Sequence, residues 1–547
     1  MDSLQRLIDL DAVARLRAHD ATLFAQDTDG LELAAASFGW VEPAIGVTAA
    51  LPLLDRLAKE AAEEGVSNVV LLGMGGSSLA SLVIGEVLGG SAVRLHVLDT
   101  TAPLSVARVV GTLDPATTLY LVASKSGGTI EPLSLYAIFR EEADNELGPA
   151  AAGNRFIAIT DPETSLEALA ATGGFRALVS SPADVGGRFS ALTVFGLTTA
   201  ALLGVNVELL LERASAMSTA CALPTAENPA AKLAAFIGDA HAAGRDKLTI
   251  VSSASLASFG LWVEQLVAES LGKEGTGVVP VVELSEEFPV GYGPDRAVVI
   301  VRTADDHERA AWTTQLSELA PVFEIVLRDA YDLGAEFVRW EHAIALLGPL
   351  LGVNPFGQPN VAAAKAATAA VLANELAAPE PHYALTDGTM LTFAGALETP
   401  ADGPETLSAA LAGALAALRS RDFLGVLTYL PADETLLAPL RTAAVGVSAM
   451  TEVAVTLEIG PRYLHSTGQL HKGGADNGVF LLVTTRDHAD VPVPGKAWGL
   501  CQLHRAQAEG DLTTLVAAGR RVLRIDLPDA GSERIVEFSD ALLEACR

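Results

Sequence analysis

What most constrains this chain is a repeated alternation. Short apolar runs rich in β-forming residues are each followed by a small-residue turn and a longer helical pattern. That rhythm marks parallel α/β layers. It predicts strands over 69–72, 93–98, 119–123, 156–160 and 177–180, and a second series over 247–251, 297–301 and 323–327. Past a boundary at Pro379-Glu380-Pro381, runs over 423–430, 453–459, 479–484 and 522–525 repeat the pattern. Residues 1–65 read as helices ending in Ala61-Ala62-Glu63-Glu64-Gly65, and a helical stretch around 190–240 joins the first two units. The expected organisation is a helical segment 1–65, α/β domains over 66–205 and 206–378, the second carrying the helix with Lys365, and a C-terminal α/β region 379–547. The similar strand–loop–helix openings of the first two units suggest a weak internal duplication.

Composition narrows the class. A length of 547 residues suits two to four domains. Three cysteines, Cys221, Cys501 and Cys546, odd in number and far apart, suggest a reducing cytoplasm. A net charge of −31 makes nucleic acids and anionic membranes poor partners. No uninterrupted apolar stretch approaches the length of a membrane span, and the N-terminus reads as an acidic amphipathic helix rather than a secretory signal. None of this excludes a small anionic substrate, because a local basic pocket can sit on an acidic protein.

The chemistry concentrates in a few segments. Ser124-Lys125-Ser126-Gly127-Gly128-Thr129 links a predicted strand to a predicted helix. The first N–H groups of a helix lack partners and carry the positive end of its dipole. Hydroxyls, an ammonium and two glycines there form a seat for a monophosphate. Gly73-Met74-Gly75-Gly76-Ser77-Ser78 is a second turn of this kind, after the strand predicted at 69–72. The two converge at the carboxyl ends of one sheet, where open α/β sheets bind ligands. In Asp184-Val185-Gly186-Gly187-Arg188-Phe189-Ser190, paired glycines place one guanidinium where the backbone is least crowded, suited to a phosphate or a developing enediolate. Gln265 and Glu269 share one face of an apolar helix, where a carboxylate can be tuned as a general base. Gln358 stands at a helix mouth marked by Pro359, with Lys365 two turns on.

Together these segments resemble the phosphoglucose isomerase family over roughly residues 65–370, in the family's order and spacing, and most closely the isomerase half of bacterial transaldolase–isomerase fusions. The likeness extends to His465-Ser466-Thr467-Gly468-Gln469-Leu470-His471-Lys472-Gly473-Gly474. It implies two sugar-isomerase α/β sandwich domains with parallel sheets, here with a C-terminal α/β extension, and a homodimer. It implies interconversion of glucose 6-phosphate and fructose 6-phosphate through a cis-enediol, with no cofactor and no metal. Residue by residue, Glu269 matches the base between C1 and C2, Arg188 the stabiliser of the enediolate, and Lys365 the lysine tied to ring opening. Ser124, Lys125, Ser126 and Thr129 match the phosphate seat. Gly76 and Ser77 match the turn that contacts the sugar, and Gln265 and Gln358 match substrate-contacting glutamines.

There are departures. Gly357 stands where the family usually has Asp or Asn, Asn360 where it has Gly, and Ala362 where it has Glu. The family's ring-opening histidine would fall near Pro294-Asp295-Arg296, where there is none. His465 and His471 are the candidates to replace it. His471 is preferred, because Lys472 would depress its pKa and the glycines let a ligand approach. Either choice requires the C-terminal region to fold over the mouth of the first two domains. His342, in Trp340-Glu341-His342, reads as structural. The alternatives are a non-catalytic phosphosugar-binding protein of the same fold, an isomerase of another phosphosugar, and a nicotinamide-dependent enzyme built on residues 73–78 with Asp99 as ribose ligand.

Overall fold

The computed structural model describes residues 2–285, 287–376, 380–486 and 489–547. Three sheets organise them. The first runs β2-β1-β3-β4-β5, from β1 (Asn68–Leu72), β2 (Arg94–Leu98), β3 (Thr118–Ala123), β4 (Phe156–Thr160) and β5 (Ala177–Ser180). The second runs β7-β6-β8-β9, from β6 (Lys247–Ser252), β7 (Val279–Val282), β8 (Arg296–Thr303) and β9 (Val322–Leu327). Both are parallel throughout. The third runs β10-β11-β15-β14-β12-β13, from β10 (Tyr383–Ala384), β11 (Met390–Gly395), β12 (Phe423–Thr428), β13 (Ala454–Ile459), β14 (Gly478–Thr485) and β15 (Arg521–Leu527). Its last four strands in chain order are parallel, and β11 joins the β15 edge antiparallel.

All three sheets share one plan. Among the parallel strands of each, the first is central, the second lies to one side, and the third and fourth follow on the other; in the third sheet these are β12 to β15. The chain therefore reverses direction between the first and third strands of each unit, and a crevice opens at their carboxyl ends. In the first sheet that crevice lies between β1 and β3, the strands that precede residues 73–78 and 124–129.

One hydrophobic core joins the N-terminal helices, through Leu7, Phe38 and Trp40, to the first and second sheets. The third sheet has its own core on one face. Its other face meets Ala268, Val279 and Val281 of the second unit, and Leu500 and Leu503 pack on the outer face of the first sheet. The C-terminal region thus reaches both other units. The Pro359–Leu372 helix, expected with the second unit, lies against the Leu500–Ala517 helix of the third. Gly510 allows that approach: a Cβ there would stand 2.8 Å from the backbone nitrogen of Thr368. Of the expected boundary at 379–381, Pro379 lies outside the described residues.

Three local features lie beyond what the sequence pattern specified. The helix after Arg188 is Val194–Leu202, because Gly187–Phe189 first form a 3₁₀ turn and Thr193 caps the helix at the N–H of Phe195. The run 463–474 forms a 3₁₀ helix, Arg462–His465, and a short α-helix, Gly468–Gly473. β7, β10 and β11 also went unforeseen. β7 is an edge strand, paired only with β6, and so tolerates Pro280.

Candidate active site

Both turns of the first sheet reach the His465 segment, residues 73–78 by backbone contact at Gly75 and residues 124–129 across a cavity that residues 73–78 do not border. After β1, Gly75 takes φ +54°, and a Cβ there would come within 2.5 Å of the carbonyl oxygen of His465. A Cβ on Gly76 would strike the carbonyl oxygen of Gly187 at 2.1 Å. Glycine is therefore required here for backbone to meet backbone, with the Arg188 turn on one side and the His465 segment on the other. After β3, the hydroxyls of Ser124 and Thr129 bond at 2.8 Å, and Gly127 turns the chain at φ +67°. Ser126, Gly128 and Thr129 then border a cavity of about 400 Å³ at the start of the Ile130–Leu147 helix. Lys365 and Thr368 border it from the Pro359–Leu372 helix, and Leu464, His465 and Gln507 from the third unit.

Sequence reasoning missed Glu131, which also borders this cavity and is buried. One Glu131 oxygen accepts from Gln507 Nε2 at 2.7 Å and lies 2.9 Å from His465 Nε2. Gln507 in turn accepts from the Thr101 hydroxyl at 2.6 Å. Burial pushes the Glu131 carboxyl up, but His465, by charge and hydrogen bond, and the charge of Lys365 outweigh it and hold it below the usual range. A carboxylate can only accept, so the Nε2 of His465 carries the shared hydrogen. The sequence signal for Glu131 was slight: a charged residue in the first turn of the helix.

Glu269, Arg188 and Gln265 form a buried cluster beside the cavity rather than on its wall. Arg188 Nη1 lies 3.3 Å from Glu269 Oε1. Its Nε donates to Ser270 Oγ at 2.8 Å, and its Nη2 to the carbonyl of Pro355. Its Nη1 reaches Gln358 Oε1 at 3.5 Å, which brings the helix mouth to the same cluster. Burial lowers the Arg188 pKa and Glu269 opposes that fall. Gln265 Nε2 donates both to Glu269, at 3.1 Å, and to the carbonyl oxygen of His465, at 2.9 Å. A single side chain therefore separates the buried carboxylate from the histidine at the cavity. Lys273, pulled down to about 6 by burial and then by the charge of Arg188, donates to the carbonyl oxygens of Asn354 and Gly357. Together with Arg188 it fixes the loop before Gln358.

Three residues stand apart from their expected places. The Lys125 ammonium is not in the seat: it pairs with Asp161 and reaches the carbonyls of Pro182 and Ala183. His471 is not at the cavity, which reverses the preference over His465. Its ring is buried against Phe480, Tyr463 and Phe423, and burial first, then Lys472, then Arg520, holds its pKa well below the ordinary value. Lys472 is itself spent on Asp511. Asp99 is held by Arg462 through two bonds of 2.7 and 2.9 Å, so it is not available as a ribose ligand. Near Asp295, where the family histidine was sought, Asp295 lies 3.4 Å from Lys247 and Arg296 donates to Thr249. His342 is buried, faces Trp40 and is pushed down to about 4 by burial.

These features agree with the comparisons with known proteins. The pattern of the phosphoglucose isomerase family matches residues 58–287. The chain is 30% identical over 371 residues to a "Probable glucose-6-phosphate isomerase" of Haloarcula marismortui, covering 60% of this chain and 84% of that protein. A glucose-6-phosphate isomerase of Rubrobacter xylanophilus is 29% identical over 366 residues, covering 57% and 84%. A hypothetical protein of Thermus thermophilus shares the fold with a TM-score of 0.58 and 27% identity, covering 68% of this chain and 96% of that one. A glucose-6-phosphate isomerase of Chlamydia trachomatis matches in fold with a TM-score of 0.55 at 17% identity, covering 68% and 85%. The fold and its crevice define a sugar-isomerase type of α/β protein. This chain belongs to the phosphoglucose isomerase family. Among the described residues no helix is long and apolar enough to cross a membrane.

Proposed function

We propose that this chain is a glucose-6-phosphate isomerase, interconverting glucose 6-phosphate and fructose 6-phosphate by proton transfer through a cis-enediol. The observation that carries the reading is the pairing of His465 with Glu131 on a hydroxyl-lined cavity, one side chain away from the buried Glu269–Arg188 pair. The phosphate lies on the hydroxyls of Ser126 and Thr129, the latter backed by Ser124, at the N-terminal end of the Ile130–Leu147 helix. His465, steadied by Glu131, moves the proton between the ring oxygen and the anomeric hydroxyl, and Lys365 faces the same carboxylate across the cavity. As the open chain enters, it takes over the bonds of Gln265 and reaches Glu269, which carries the proton between C1 and C2. Arg188, already 3.3 Å from Glu269, stabilises the charge on the enediolate oxygen.

Steady-state kinetics on fructose 6-phosphate test this reading. Ser124→Ala with Thr129→Ala is expected to raise KM about tenfold or more with kcat little changed, because those hydroxyls hold the phosphate equally in ground and transition states. A fall in kcat at unchanged KM would make the loop part of the chemistry instead of the anchor. A parent chain that leaves fructose 6-phosphate unchanged would remove the reading altogether.

A further inference from the structure

Gln469 is wholly buried, four residues after His465 in the Gly468–Gly473 helix. A buried primary amide must place its donors and its acceptor or lose stability. This one spends them on two other elements. Its Oε1 accepts the N–H of Asn360 at 2.9 Å, and its Nε2 donates to Asn360 Oδ1 at 2.8 Å and to the carbonyl oxygen of Gly272 at 2.9 Å. Gly272 ends the Phe259–Leu271 helix, three residues beyond Glu269. Asn360 is the second residue of the Pro359–Leu372 helix, between Gln358 and Lys365, at the position where the family resemblance leads to glycine.

The junction has no slack. A Cβ on Gly473 would come within 2.5 Å of Asn360 Oδ1 and 2.6 Å of Gln469 Nε2, and one on Gly272 within 2.5 Å of the Cα of Leu470. On the other side of His465, Arg462 holds the same segment to the first sheet through Asp99. His465 is thus held at its own carbonyl by Gln265 and fastened on either side by Arg462 and Gln469, and Gln469 ties the segment to the helix of Glu269 and the helix of Lys365 together.

We propose that Gln469 is a positioning residue for the proton transfers, paired with Asn360 to hold the His465 segment in register with the helices bearing Glu269 and Lys365. This rests on the roles proposed above for those three residues. Gln469 does not border the cavity, so it acts only through the groups it aligns.

The test compares Gln469→Glu and Gln469→Leu in the full chain, by kinetics on fructose 6-phosphate across pH and by amide hydrogen exchange. The glutamate variant keeps an acceptor for the Asn360 N–H but turns oxygens on the Gly272 carbonyl and Asn360 Oδ1. Its kcat is expected to fall roughly tenfold, the scale of a small misalignment, with KM within about twofold. That kcat should recover as pH falls, because the protonated acid regains one donor. Gln469→Leu should fall likewise and show no recovery. Exchange should quicken over residues 358–361 and 462–473 in both variants. Parental kcat in both, with only a lowered Tm, overturns the proposal, as does a change confined to KM. If the parent does not isomerise fructose 6-phosphate, the functional reading fails instead. The exchange data then still decide the coupling, and parental exchange rates in both variants would refute it.

Discussion

Glu269→Gln is expected to lower turnover by at least about 10²-fold while nearly preserving affinity for hexose phosphate. That loss corresponds to about 2.7 kcal/mol in the barrier, the low end for a general base. The substitution suits the site. An amide carbonyl can still face Arg188 Nη1, which lies 3.3 Å from the present carboxylate oxygen, so the shape is kept and the proton acceptor is lost. Removing one charge from a buried pair also weakens folding, by about 3–5 kcal/mol when the partner is left wholly uncompensated. Here the guanidinium keeps Ser270 and the Pro355 carbonyl as acceptors, so a circular-dichroism melt separates lost chemistry from lost structure. Turnover within a few-fold of the parent, in a folded variant, would remove Glu269 from the mechanism.

His465→Ala is expected to slow the cyclic substrate by about 10²-fold, the usual contribution of a positioned acid–base group. An analogue that cannot close its ring should be processed at close to the parental rate, because it bypasses the step and still needs only Glu269. Glu131→Gln should act in the same direction and less strongly, since it leaves the imidazole in place without its carboxylate. His471→Ala is the internal control. It removes a ring packed against Phe480 at 5.0 Å between centroids, and should lower Tm without changing the ratio of cyclic to open-chain rates. Equal slowing of both substrates by His465→Ala would point to closure of the cavity, and no slowing of either would exclude His465 from ring opening.

Most of the architecture is legible in the sequence because it is local. Runs such as 119–123 and 156–160 are apolar on both faces and bounded by turns, and they appear as β3 and β4 within a residue of their expected ends. The strands that escaped reading break that pattern. β7 has four residues, one of them proline, and β11 joins its sheet by an antiparallel edge that nothing near it announces. The site divides the same way. The glycine and hydroxyl turns declare themselves by composition, whereas Glu131 takes its meaning from partners 334 and 376 residues away. The choice between the histidines went astray for a related reason. The nearness of Lys472 in sequence suggested reactivity at His471, but three aromatic rings bury that imidazole and Asp511 takes up the lysine. Lys125 likewise reads as a phosphate ligand until Asp161 is seen beside it.

The central claim, isomerisation by a protein base through an enediol, is tested most directly in heavy water. Purified chain is incubated with glucose 6-phosphate in D₂O, with and without chelator, while proton NMR follows the C2 hydrogen and the appearance of fructose 6-phosphate. The account predicts fructose 6-phosphate in both samples and progressive loss of the C2–H signal as solvent deuterium enters through Glu269, with both processes suppressed together in Glu269→Gln. Isomerisation that reaches equilibrium with no deuterium in C1 of fructose 6-phosphate or C2 of the remaining glucose 6-phosphate would mean that the hydrogen passes directly between the carbons as hydride, and would contradict it.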